Sequence, residues 1–269
     1  MAALFTPVLW TSGFRRRVVR RNLQLMKWKR DPFLRWRLTF RATRDLAALF
    51  LTPHPKYRMH PRSSMNLAAI RKGPSILLTA HFHNWEWLGS ALQREGVPIL
   101  AAAKPLHAAW AEQWLLRLRA RISVPTVSGA VPRMAIRHLE RGGCFAFLWD
   151  QYAPGSEYSG EFFDAPARMN PLPLFLLAHC PCPVYFGILL PGGNVRLLSL
   201  LSRFEGYREE QLIRRYHRVL EILVRARPEL WYGFFHARFK NIAFYPGHRN
   251  APVSSSAFAP SYPALPRPI

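Results

Sequence analysis

Ser75-Ile-Leu-Leu-Thr-Ala-His81-Phe-His83-Asn84-Trp-Glu86-Trp-Leu-Gly89 is the stretch on which the fold turns. Its first half is a short apolar run opened by Pro74, the composition of a buried strand. From Trp85 the apolar residues recur with helical spacing at Leu88 and Leu92, and Gly96 stops the pattern. A strand therefore hands over to a helix between His81 and Glu86. In open α/β sheets this junction, beyond the carboxyl end of a strand and at a helix N-terminus, is where chemistry collects. His81 and Glu86 stand five positions apart, whereas neighbours on a continuous helix face are three or four apart. They touch only if His81 lies in the turn and Glu86 in the first helical turn. A carboxylate so placed orients the imidazole as a general base. His107 and Glu112 have the same spacing, but that pair does not directly follow a clean strand.

The pattern continues outward from this junction. Pro98 to Lys104 reads as a second strand, followed by a helix carrying Trp110, Trp114, Leu115 and Leu118. Ser123 to Val127 is a short extended piece, and the next helix is opened by Pro132 and closed by Gly142-Gly143. Cys144 to Trp149 is a further strand, ending at Asp150-Gln151. Gln151 to Pro171 reads as a long loop, of the kind that is usually functional or mobile. A helical piece from Leu172 to His179 follows, and then Pro-Gly-Gly-Asn links Val184–Leu190 to Val195–Leu201 as a hairpin. Leu212, Ile213, Tyr216, Val219, Leu220, Leu223 and Val224 share one helical stripe. The expected fold is α/β: a mostly parallel central sheet with flanking helices, an antiparallel edge hairpin and a basic amphipathic N-terminal helical segment. Three regions are expected: a membrane-associating segment over 1–60, the α/β domain over 61–245 and a loose Pro/Ser-rich tail over 246–269.

At 269 residues the chain is long enough for one large domain, and a 49% hydrophobic fraction excludes a disordered one. The formal charge of +23 suits nucleic acid, anionic headgroups or an acidic protein partner. No nucleic-acid-binding signature accompanies that charge, while 9 Trp and 18 Phe among the arginines suit a membrane interface. The uncharged start, Met1 to Gly13, falls short of the ~20 residues a spanning helix needs. The basic segment after it, Arg15 to about Phe50, has the character of a helix lying in the interface plane. His179-Cys180-Pro-Cys182 is spaced too tightly for a metal pair, so no metal and no cofactor is expected. No Gly-x-Ser-x-Gly elbow and no phosphate-binding loop occurs, which removes the α/β-hydrolase and nucleotide-binding classes.

Five landmarks stand in order: Ala-His81-Phe-His83-Asn84-Trp85-Glu86, Lys104-Pro105-Leu106, Trp149-Asp150-Gln151, Phe162-Phe163, and Pro228-Glu229 with His236-Ala-Arg238-Phe239-Lys240. Together with Arg20-Arg21-Asn22-Leu23 they resemble the bacterial late acyltransferases of lipid A synthesis, the lauroyl and myristoyl transferases related to lysophospholipid acyltransferases. The resemblance covers roughly residues 15 to 241. It implies transfer of an acyl chain from acyl carrier protein, or acyl-CoA, to a hydroxyl of a glycolipid, at the cytoplasmic face of the inner membrane, with monotopic or peripheral attachment to an anionic surface. It also implies His81 as the base and Glu86 as its orienting acid, with Asn84, Lys104, Asp150, Gln151, Arg168 and Arg238 binding substrate. The pattern is departed from at His83, where glycine is usual, at Lys104 for arginine, at Ala108 for asparagine and at Tyr152 for a second aspartate. Those departures leave other acceptors open: a phosphatidylinositol mannoside, a lysophospholipid or an aminolipid. A basic binding protein without catalysis is the reading from another class.

Overall fold

The computed structural model describes residues 13, 15–28, 31, 33–51, 56–103, 109–122, 124–156, 158–202, 208–240 and 242. Lys104 through Ala108, most of the apolar start and the tail over 246–269 lie outside them. The helices are α1 Arg16–Leu25, α2 Leu34–Leu51, α3 Ser64–Lys72, α4 Trp85–Arg94, α5 Ala109–Ile122, α6 Val131–Glu140, α7 Leu172–His179 and α8 Glu209–Ala226. The strands are β1 Arg58–Met59, β2 Ser75–Thr79, β3 Ile99–Ala102, β4 Thr126–Val127, β5 Cys144–Leu148, β6 Ser159–Phe162, β7 Ala165–Arg168, β8 Val184–Leu190 and β9 Asn194–Leu201. The described residues divide into two compact units, one within Asp45–Leu148 and His179–Gly206, the other within Met1–Arg44, Trp149–Ala178 and Tyr207–Ile269.

The first unit holds a seven-stranded sheet in the order β1-β9-β8-β2-β5-β3-β4. β2 lies between β8 and β5 and pairs with both in parallel, so its five residues are buried, as its unbroken apolar run requires. β8 and β9 form the expected antiparallel hairpin. Gly193 holds its turn at φ 79°, and a side chain there would collide with the Lys56 carbonyl. The two-residue β1 pairs outside β9, so the hairpin stands one strand in from the edge; a strand that short carries no periodicity to read. Leu67, Ile70, Leu77, Leu88, Leu92 and Leu197 belong to the apolar cluster between α3, α4 and the sheet.

The second unit is built around aromatic rings. Phe162 packs on Phe163, Trp231 and His217, and Trp149 packs on Tyr216 of α8. Its hairpin, β6 with β7, lies inside the stretch expected to be a loop. The tight turn is Phe163-Asp164 with both residues at positive φ, a conformation usually signalled by Asn-Gly, and neither of those residues is present. Glu221 of α8 secures it by accepting from the Phe163 amide at 2.6 Å.

The basic N-terminal segment folds as α1 and α2 and is partly absorbed into the protein. Val18 and Val19 of α1 and Leu34 and Leu38 of α2 are buried. Asn22 is fully buried, and its amide donates to the carbonyls of Phe234 and His236, both at 2.9 Å. Asn22→Ala removes two hydrogen bonds, one of them to the buried Phe234 carbonyl, so it is expected to cost about 1–3 kcal/mol, read from urea unfolding. An unchanged unfolding midpoint would show that the clasp contributes nothing.

Candidate functional site

β2 ends at Thr79, and the chain then turns through His81 to Asn84 before α4 begins at Trp85. The His81 ring is half-buried and meets Trp85 edge-on at 4.9 Å. Phe82 is buried beneath the turn. His83 adopts φ 49°, the left-handed region that disfavours a β-carbon. The His83 Nδ1 lies 2.6 Å from Asp45 Oδ2; a carboxylate only accepts, so the ring nitrogen donates. Asn84 is buried and gives its amide to the Asp45 carbonyl at 3.1 Å, so its side chain does not cap α4.

Glu86 is the second residue of α4, and Arg119 of α5 grips its carboxylate. Nη2 of Arg119 donates to Oε1 at 2.8 Å, and Nε reaches Oε1 at 3.2 Å and Oε2 at 3.4 Å. Of these three contacts, two fall on Oε1 and the longest on Oε2. A carboxylate offers about four lone-pair sites, so Oε2 retains acceptor capacity. Both side chains are largely buried, 14% exposed for Arg119 and 11% for Glu86. Sequence reasoning missed Arg119, which lies 33 positions from Glu86 among the evenly spaced arginines of α5. The same pair lines a cavity of about 40 Å³ together with Thr79, Leu88, Gly89 and Thr126. That is room for a few waters and far below the ~300 Å³ at which ligand pockets begin.

Asp150, Gln151, Arg168 and Arg238 lie in the aromatic unit. Asp150 is buried and its Oδ2 accepts from the Trp231 indole at 2.9 Å. Burial, and then the nearby Asp150, pushes the Tyr216 hydroxyl well above its ordinary range and keeps it protonated. Gln151 meets His236 at 3.3 Å. Arg168 ends β7, and its carbonyl accepts from Arg238 Nη1 at 2.6 Å. Arg238 is only 1% exposed. Its other terminal nitrogen reaches Met169 Sδ at 2.8 Å and His217 Nε2 at 3.1 Å. Burial, with the Arg238 charge second, holds the His217 imidazole well below its usual range, so it is neutral and accepts from the guanidinium. Arg238, which the resemblance assigns to substrate binding, is thus buried and holds the backbone of Arg168 at the end of β7. Lys104 lies outside the described residues.

Among the described residues no group of three or more His, Cys, Asp or Glu side chains is arranged to hold a metal ion. No curated protein matches the chain. The family model for the bacterial lipid A biosynthesis acyltransferase matches residues 63–241, about two thirds of the chain, and spans the His81 turn, Arg119, the Asp150 and Arg168 segments and Arg238. The chain belongs to the bacterial lipid A biosynthesis acyltransferase family.

Proposed function

We propose that this acyl-transferring enzyme acts on oxygen, moving a fatty acyl chain from a carrier-protein or coenzyme A thioester to a hydroxyl of a phosphorylated glycolipid. The observation that carries the proposal is the turn joining β2 to α4, which presents His81 half-exposed and edge-on to Trp85, with Glu86, clamped by Arg119, in the first turn of the helix that follows. A hydroxyl is a weak nucleophile near neutral pH, and a positioned base supplies about 10²–10⁴-fold. His81 takes the hydroxyl proton as the oxygen attacks the thioester carbonyl carbon. Glu86, through Oε2, holds the imidazole in the orientation that receives it. The α4 amides, uncapped by Asn84, stabilise the charge that develops on the carbonyl oxygen. The carbon–sulfur bond then breaks, and His81 returns the proton to the leaving thiolate, so ester and thiol are the products. Lys104 and Arg168 are assigned to the anionic headgroup or the phosphopantetheine, and Asp150, Gln151 and Arg238 to the support of that binding region.

The test is incubation of purified protein with acyl carrier protein or coenzyme A thioesters and a phosphorylated glycolipid bearing a free hydroxyl, read by mass spectrometry. An acylated, hydroxylamine-labile product is expected. Absence of ester on the glycolipid, together with ester on a phosphatidylinositol mannoside, a lysophospholipid or an aminolipid, would move the acceptor. No product from any of them would overturn the reading.

Residues 1–60 are proposed to seat the enzyme on the cytoplasmic face of an anionic inner membrane, serving the acyltransferase domain over 61–245. No described helix is long and apolar enough to cross a membrane. Phe33 and Trp36 are 67% and 42% exposed, and Trp36 stacks on Phe40 at 5.4 Å. Trp36, Arg37, Phe40 and Arg41 line a cleft of about 380 Å³. Aromatic rings among arginines are the composition of a headgroup-level contact. Full burial of a large apolar side chain is worth ~1.5–3 kcal/mol, so Phe33→Ala and Trp36→Ala should each weaken binding to anionic vesicles by about tenfold. Undiminished co-sedimentation of the double variant would remove this face from the contact.

A further inference from the structure

We propose that Asp45 is a positioning residue for the catalytic turn, acting through His83; the proposal rests on the reading of His81 as the base. His83 lies between His81 and Glu86 at φ 49°, a region that glycine enters freely and a residue with a β-carbon enters at a cost. Its ring supplies what the backbone lacks. Nδ1 is 2.6 Å from Asp45 Oδ2, with the two side chains 11% and 9% exposed. In that setting the bond is strongly felt, since water cannot compete for either group. The backbone carbonyl of the same aspartate takes the Asn84 amide at 3.1 Å. One residue of α2 thus grips two consecutive residues of the turn, His83 with its side chain and Asn84 with its main chain.

Those two residues carry the dihedral angles that decide how Glu86 is presented to His81. Rotation at either would carry the base and its carboxylate apart, and a misplacement of about 1 Å in catalytic machinery costs on the order of 10²-fold. Burial also separates the two histidines by role. His83 is enclosed with its nitrogen committed to Asp45, whereas His81 is half-exposed beside Trp85 and can meet a lipid hydroxyl.

The test measures kcat, KM and melting temperature for Asp45→Ala, His83→Ala, His83→Gly and the Asp45→Ala/His83→Gly double variant, alongside His81→Ala, in the acyl-transfer assay. Asp45→Ala and His83→Ala are each expected to lower kcat by about 10–100-fold with little change in KM. His83→Gly should lose less than His83→Ala, because glycine takes the positive φ without a ring to hold it. Asp45→Ala should then add little on the His83→Gly background, the non-additivity of two residues acting as one device. Wild-type kcat in folded Asp45→Ala overturns the proposal, and so does an equal loss from Asp45→Ala in both backgrounds. If Asp45→Ala does not fold, equal kcat in His83→Ala and His83→Gly overturns it. His81→Ala keeps the two readings apart. Wild-type turnover there removes the base assignment and this proposal with it, whereas an inactive His81→Ala with additive effects at Asp45 and His83 removes the positioning role alone.

Discussion

His81→Ala is expected to lower kcat for acyl transfer by about 10²–10⁴-fold, the range a positioned general base supplies. KM should move little, because the imidazole meets the reacting proton and is not assigned to the acyl chain or the headgroup. Melting temperature should also move little. The ring is half-buried, with an edge contact to Trp85, so its removal opens no deep cavity. That combination separates a catalytic loss from a folding one. Turnover near wild type in the folded variant would end the assignment of His81.

Arg119→Ala is expected to cost about 3–5 kcal/mol, the penalty for removing one partner of a buried ion pair and leaving the other charge without compensation. For a chain of this size that lowers the melting temperature by roughly 10 °C. Arg119→Lys should fall between wild type and alanine, since an ammonium keeps the charge but cannot reproduce the fork through Nε and Nη2. Glu86→Gln added to Arg119→Ala should recover part of the loss, because a neutral amide is less costly to leave buried than a carboxylate. Activity should fall with stability, as the carboxylate assigned to orient His81 loses its clamp. A cost under about 1 kcal/mol would show the pair to behave as an exposed surface bridge.

The fold was legible where burial on both faces makes a strand continuous and apolar, as in Ser75 to Thr79 and Cys144 to Leu148, and where proline or glycine punctuates a helix. It was not legible at Phe163-Asp164. There tertiary contacts, the Glu221 carboxylate on the amide and the Arg225 guanidinium 4.6 Å from the Phe163 ring, accompany a turn that the local residues do not advertise. The candidate site divides in the same way. His81 and Glu86 show themselves through local order, a strand end followed by a helix start. Arg119 and Asp45 do not, because what joins them to the turn is folding across 33 positions in one case and 38 in the other. The abundance of charge is legible in the sequence, but its burial is not, for Arg238 lies inside the fold. Its guanidinium donates to a carbonyl, a thioether and a neutral imidazole, partners that no pattern of charges in the sequence announces.

The Asn22 clasp sets an order of events during synthesis. The carbonyls it grips lie 212 and 214 residues further along the chain. At about 5–20 residues per second, α1 emerges from the ribosome roughly 10–40 s before its partners exist. Throughout that interval the Asn22 amide lacks the two carbonyls that hold it in the folded protein. A chain that stops short of Phe234 never forms the clasp, so a termination late in the reading frame leaves α1 without it, and a destabilised product enters the pool that proteases clear.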